Sequence, residues 1–162
     1  MNIKDAKEFR TEKEQIQRNK IEELAKDTEY YTFFTKGDFN VTDGRICNII
    51  TNKDYRFESK WYGSIQHPRY SDKFPNYQID YDKLEQLEAK SIEEKSTPLL
   101  ICFFTNELVV WNINKCNWKN TKKKMYVNAV GGKYGQFKEW SYQAYLNLSE
   151  AIYRNPNITP FN

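Results

Sequence analysis

The tripeptide Glu58-Ser59-Lys60 lies late in a strand-like run, Tyr55-Arg56-Phe57-Glu58-Ser59-Lys60-Trp61. Strand side chains alternate between faces, so Glu58 and Lys60 point the same way, with the apolar Phe57 and Trp61 flanking them in the chain. Asp43 stands 15 residues before Glu58, beside the turn-forming Gly44. An acid from one strand, with an acid and a lysine from the next, can hold a divalent metal against a phosphate. Phosphodiester hydrolysis needs an activated water, neutralisation of charge on the phosphate, and stabilisation of the leaving alkoxide. Magnesium held by two carboxylates supplies the first two. Asp43 and Glu58 are the candidate ligands, and the backbone carbonyl of Ser59 is a third. Lys60 can orient or deprotonate the water, or pair with the scissile phosphate, and the sequence leaves these roles open. An acid-x-Lys run is more often a solvated ion pair and Asp-Gly a plain turn, so the surrounding elements decide the matter.

Residues 3 to 27 read as a helix on which Ile21, Leu24 and Ala25 cluster, with Gln17 and Glu14 continuing that side backwards. Tyr30 to Phe34 is strand-like, Lys36-Gly37-Asp38 punctuates it, and Phe39 to Thr42 is a short extension. Arg45 to Thr51 and Tyr55 to Tyr62 are two further strands about the polar turn Asn52-Lys53-Asp54, giving a meander with Asp43 at the start of one strand and Glu58 in its neighbour. Gly63 to Asn76, with His67, Arg69, Pro68 and Pro75, reads as a long loop of the kind that covers substrates. Asp80 or Asp82 caps a helix, Glu85 completes a capping box with Asp82, and Leu84, Leu87, Ser91 and Ile92 form its buried face. Leu99 to Phe104 is a buried strand with Leu108 to Ile113 as its hairpin partner, and Met125 to Val130 is a further strand closed by Gly131-Gly132. From Gln136 to Arg154 the steps between Phe137, Trp140, Ala144, Tyr145, Leu148, Ala151 and Ile152 predict a helix, ended by Asn155-Pro156. One α+β domain over residues 1–162 is expected.

The longest apolar run, Leu99 to Phe104, is far shorter than a membrane helix requires, and Met1 to Asp5 lacks the apolar stretch of a signal peptide. Cys47, Cys102 and Cys116 are odd in number and widely spaced, and His67 is the only histidine. This argues against a zinc finger, a His-based metal site or a disulfide framework, and favours a reduced, cytoplasmic compartment. Cys47 and Cys102 read as buried strand residues. The net charge is +3, but unevenly spread: 115–138 holds seven lysines and no acid, whereas 80–94 holds six acids and two lysines. One basic flank suits an anionic partner such as nucleic acid, with Lys115, Lys119, Lys122, Lys123, Lys124 and Lys133 as candidate phosphate contacts. A solvated lysine-rich loop is the plainer reading. Trp118, Tyr126 and Tyr134 lie among these lysines, where aromatic faces can stack on unpaired bases, although such residues are more often core.

Asp43-Gly44, then Phe57-Glu58-Ser59-Lys60, the helix from Asp80 to Glu94 and the strand Leu99 to Phe104, all after a first helix, resemble the PD-(D/E)xK nuclease superfamily. That superfamily includes restriction endonucleases, Holliday junction resolvases and phage nucleases. The resemblance runs from the first helix to the Leu108–Ile113 strand, roughly two-thirds of the chain. It implies a restriction endonuclease-like α+β core of three layers, a mixed central sheet flanked by helices. It also implies a DNA endonuclease using Mg²⁺ or Mn²⁺, with Asp43, Glu58 and Lys60 catalytic and Asp43, Glu58 and Ser59 at the metal. A homodimer fits relatives that pair two sites to cut two strands. Thr42 stands where the pattern often has proline. Asp38 is a rival first acid; Asp43 is preferred because Gly44 and the uninterrupted strand after it match the pattern better. Many members place an acid on the first helix facing the site, for which Glu14 is the candidate and Glu22 the alternative. Thr35 ahead of Asp43-Gly44, the Ile79–Leu87 segment and a hairpin holding Trp111 resemble phage-borne members, and the Asn-, Lys- and Tyr-rich composition suits an AT-rich genome. The alternatives are a catalytically silent module that binds DNA or protein, for example in phage–host conflict, and an adaptor using its aromatic surface.

Overall fold

The computed structural model describes residues 3–35, 42–62, 68–73, 75–130 and 136–158. Asp38, His67, Lys133 and Tyr134 lie outside the described residues.

Helix α1, Ile3–Ala25, contains neither glycine nor proline and is rich in strong helix formers. It buries Ile21 and Gln17, half-buries Leu24 and Ala25, and leaves Glu14 exposed. Asp27, at φ 58°, turns the chain out of it. The meander follows as β1 (Tyr30–Phe34), β2 (Gly44–Asn48) and β3 (Lys53–Trp61), each antiparallel to the next. β2 stops short of the expected Thr51. The Asn48 side-chain oxygen accepts the backbone N–H groups of Ile50 and Thr51, each at 3.0 Å, and closes the turn there.

Strand β4 (Asn76–Asp80) leads into helix α2 (Tyr81–Glu93), then β5 (Thr97–Phe103) and β6 (Leu108–Asn112). The expected capping box of Asp82 and Glu85 does not form; Asp80 stands at the N-cap without a side-chain cap bond. Its carboxylate instead accepts the Gln143 amide at 2.6 Å. β5 lies parallel to β3 and antiparallel to β6. After β7 (Lys123–Val130) and β8 (Gln136–Asn147), the short β9 (Tyr153–Asn155) pairs with β6. The result is a mixed six-stranded sheet, β1-β2-β3-β5-β6-β9, and a second, antiparallel sheet, β4-β8-β7.

The region 136–154 is therefore not an α-helix: it is strand over Gln136–Asn147, a 3-10 turn over Leu148–Glu150 and then the start of β9. Trp140, Ala144, Leu148 and Ile152 are spaced by four, and a step of four keeps residues on one face in a helix and in a strand alike. The burial of Ala144 and Leu146, two apart, is the strand period, and the aromatic content suits a pleated surface. Its pairing with β7 over 136–143 and with β4 over 143–147 fixes it as a strand.

The central sheet is covered on both faces. Ile21 of α1 packs with Phe57, Leu99, Ile101 and Phe103 on one side. On the other, Leu84 and Leu87 of α2 join Leu100, Cys102, Val109 and Trp111, together with Tyr77, Ile79, Ala144 and Leu146 from the second sheet. This is an α+β fold with a mixed central sheet flanked by helices, in the element order expected of a restriction endonuclease-like core. The second sheet was not expected.

Candidate active site

The β2–β3 register pairs Gly44 with Phe57 and so sets Asp43, the next residue out, opposite Glu58. The ladder ends there: the Asp43 N–H donates to the Phe57 carbonyl at 3.0 Å. Thr35 fixes this corner, its hydroxyl donating to the carbonyls of Thr42 (2.7 Å) and Asp43 (3.1 Å). Arg18 of α1 in turn donates to the Thr35 carbonyl at 3.0 Å. The Asp43 carboxylate reaches across to the neighbouring strand, where Oδ2 accepts the Ser59 N–H at 2.7 Å and the Ser59 hydroxyl at 3.0 Å.

That bond also orients the Ser59 carbonyl. Within a strand the N–H and C=O of one residue point to the same edge, so the Ser59 carbonyl faces away from β5 and towards the Asp43 edge. Among the described residues, the Asp43 carboxylate and the Ser59 carbonyl therefore lie along the same edge of β3.

Glu58 and Lys60 pair with Leu100 and Cys102 of β5 and face the α2 side of the sheet. Glu58 is 6% exposed. Lys60 Nζ lies 2.9 Å from its Oε1, and Lys83 Nζ, from the first turn of α2, lies 3.8 Å from the same atom. Burial pushes the Glu58 carboxyl up; the Lys60 and Lys83 ammonium groups oppose that, and the Asp43 charge reinforces it. Burial works against the Lys60 charge, but the ion pair with Glu58 and the nearby Asp43 outweigh it, and the ammonium is held above its ordinary value. The Asp43 charge thus bears on both Glu58 and Lys60.

Lys83 went unseen in the sequence. The crossover from β3 to the parallel β5 runs through α2, and such a helix runs antiparallel to its strands, which sets its N-terminal turn at the C-terminal ends of β3 and β5. That geometry was the available signal for Lys83. Glu14 lies elsewhere: it is exposed, on a helix that packs against the Phe57 face of the sheet, opposite to the Glu58 face. Among the described residues no three His, Cys, Asp or Glu side chains gather as a metal-binding group.

The basic flank is divided. Lys119 is taken up by Glu88 of α2 at 2.7 Å, whereas Lys115, Lys122, Lys123 and Lys124 are exposed. Trp118 is fully buried against Tyr81 and donates its indole N–H to the Ile113 carbonyl at 3.0 Å, so it is core and offers no stacking face. Cys102 is buried, and its thiol is pushed well up by burial. Cys47, expected in the core, is half-exposed and donates to Asp54 at 2.7 Å; all three cysteines are free. Among the described residues no helix is long and apolar enough to cross a membrane.

The fold is thus α+β, with two acids and a lysine brought together where an antiparallel pair ends beside a parallel one. No family model matches the chain, and no curated protein sequence matches it. Among solved structures it is similar to Archaeoglobus fulgidus Hjc, a Holliday junction resolvase from an archaeal hyperthermophile. The likeness has 12% sequence identity and a TM-score of 0.49, and covers 78% of this chain and 86% of that one.

Proposed function

We propose that the chain is a metal-dependent nuclease that hydrolyses phosphodiester bonds in DNA. The observation that carries this reading is Asp43 set opposite Glu58 on adjacent strands, with Lys60 Nζ 2.9 Å from Glu58 Oε1. The donor chemistry suits a hard divalent ion: two carboxylates, the Asp43 charge helping to push the Glu58 carboxyl up, and a carbonyl on the same edge, all oxygen. Asp43, Glu58 and the Ser59 carbonyl would hold Mg²⁺ or Mn²⁺, which when bound supplies an activated water and draws charge from the phosphate.

The chain's own groups do the positioning. Ser59 holds Oδ2 of Asp43, which leaves Oδ1 to turn towards an ion. Lys60, held 2.9 Å from Glu58, is placed to act on the attacking water or to pair with the phosphate. Lys83 adds a second positive charge beside Glu58. Lys115, Lys122, Lys123 and Lys124 supply non-specific attraction to the DNA backbone. We read residues 1–162 as one such domain, working alone or as a homodimer.

The test is cleavage of plasmid, single-stranded and branched DNA with Mg²⁺ or Mn²⁺, by the wild type and by Asp43→Ala, Glu58→Ala and Lys60→Ala. Cleavage by the wild type, abolished in all three variants, is expected. Salt-sensitive DNA binding that survives these substitutions, with every substrate intact, would replace this reading with a DNA-binding module lacking catalysis.

A further inference from the structure

β4 pairs with β8 only over residues 143–147 of β8, while β7 pairs with the whole stretch 136–143. Beyond Gln143 the two strands pair, among the described strands, only with each other, as a two-stranded arm. Its composition is not that of a structural ribbon. Trp140 is 66% exposed, Tyr126 56% and Tyr142 46%. Tyr126 and Trp140 are register partners with ring centroids 5.3 Å apart, and Tyr142 is the partner of Lys124. All four share one face of the ribbon, since directly opposed residues point the same way and Trp140 and Tyr142 are two apart.

That face has a fixed direction. Ala144 and Leu146 continue it inward, and both are buried in the core beneath α2. The arm's aromatic face is thus the outward extension of the surface that packs on α2 and the central sheet. Lys122 bridges the two: its Nζ lies 4.2 Å from the ring centre of Tyr81, the first residue of α2, and 4.6 Å from that of Tyr142. Two residues along α2, Lys83 meets Glu58. Lys124 lies 6.0 Å from the ring centre of Tyr142, and Lys138 lies 6.0 Å from that of Tyr126. Glu139, one residue on from Lys138, points to the other side.

We propose that this face binds unpaired bases of single-stranded DNA: the rings of Tyr126, Trp140 and Tyr142 stack on bases while Lys122, Lys124 and Lys138 meet the phosphates. Every base presents a π-face, so such a platform tolerates any sequence, and the cations suit the polyanion that carries the bases. Lysine among the rings disfavours a protein partner, whose interface cores exclude it. The strand so held leads past Tyr81 and Lys122 to the Lys83 end of α2 and Glu58. This inference rests on the nuclease reading for its purpose, and deepens it by naming substrate with an unpaired segment.

The experiment is equilibrium binding of the full chain in EDTA to a fluorescein-labelled oligothymidylate and to a blunt duplex of equal length. Trp140→Ala is expected to weaken oligothymidylate binding about tenfold and duplex binding less than about twofold, with Trp140→Phe close to wild type. Equal affinities for Trp140→Ala and wild type overturn the proposal, as does an equal loss on both DNAs, which would make the arm a general basic surface. A change of sedimentation mass on Trp140→Ala also overturns it, since the ring would then contact a second copy. Binding is measured without metal, so failure of catalysis leaves this result intact: single-strand binding with no cleavage under Mg²⁺ would remove the nuclease reading alone.

Discussion

The Asp43 carboxylate is locked to Ser59 by two hydrogen bonds to one oxygen, from the backbone N–H at 2.7 Å and from the hydroxyl at 3.0 Å. The pair ties the end of β2 to β3 where their ladder has stopped. Ser59→Ala keeps the first bond and removes the second. Since groups that orient a metal ligand are typically worth 10-fold or more in metal affinity, the variant is expected to need about 10-fold more Mg²⁺ for half-maximal cleavage. Its melting temperature should barely move. A Mg²⁺ titration of the cleavage rate measures this, and an unchanged midpoint would remove Ser59 from the positioning role.

Gly44 is a matter of space. A Cβ there would collide with the Phe33 backbone carbonyl and stand 2.7 and 2.8 Å from two atoms of the Phe57 ring. Phe57 is fully buried and the Phe33 carbonyl belongs to the sheet, so neither can withdraw cheaply. Gly44→Ala is expected to destabilise the fold by about 3 kcal/mol, at the upper end for overpacking. Urea denaturation followed by circular dichroism would show it; a loss under about 1 kcal/mol would mean that β1 shifts freely.

Arg56 of β3 is ion-paired with Glu94 at the C-terminus of α2, and Lys90 lies 3.3 Å from the same carboxylate. The Arg56 hydrogen bond, aided by Lys90, holds the Glu94 carboxyl below its ordinary value. A carboxyl lowered on folding adds stability that is present above its unfolded value and fades as pH falls through the folded one. Glu94→Gln should therefore cost about 1 kcal/mol or less at neutral pH, with the difference from wild type closing as the pH drops below about 4. Thermal unfolding at pH 7 and at pH 3 tests the sign. A gap that widens in acid would contradict it.

Neutralising Lys122, Lys123 and Lys124 together with glutamine should weaken duplex and single strand alike. It should also flatten the dependence of log K on log salt by about 2 to 3, near 0.9 per lost phosphate contact. Lys119→Gln serves as the comparison. Because Glu88 already occupies Lys119, its slope should stay within about 0.5 of wild type. Fluorescence anisotropy over a salt series resolves the two cases.

The parts of the site legible in the sequence were those fixed by neighbours in the chain. Alternation in β3 put Glu58 and Lys60 on one face, and a hairpin of that length brought Asp43 opposite Glu58. What escaped depends on contacts distant in sequence. Lys83 joins Glu58 only through the crossover, and Thr35 clamps Asp43 only because β1 lies beside β2. Glu14 shares a helical face with Ile21, but that helix covers the other side of the sheet. In 136–154 the sequence contained a repeat of four that either period satisfies, and the deciding burial of Leu146 next to Ala144 exists only once β4 and β7 are in place. The arm was hidden by the same ambiguity, since exposed aromatics on a helix would have read as its buried stripe.

The parallel pairing of β3 with β5 separates what the site is from how it is tuned. Both acids and Lys60 come from one short hairpin, whereas Glu58 is covered by α2, which starts 23 residues further on, and flanked by Leu100 and Cys102 of β5, 42 and 44 residues further on. Substitutions in β5 or the first turn of α2 can therefore shift charge and solvation around Asp43 and Glu58 without altering either acid or Lys60. On the nuclease reading proposed above, a lineage could retune the pH range or metal demand of these acids while the tripeptide stayed letter for letter the same.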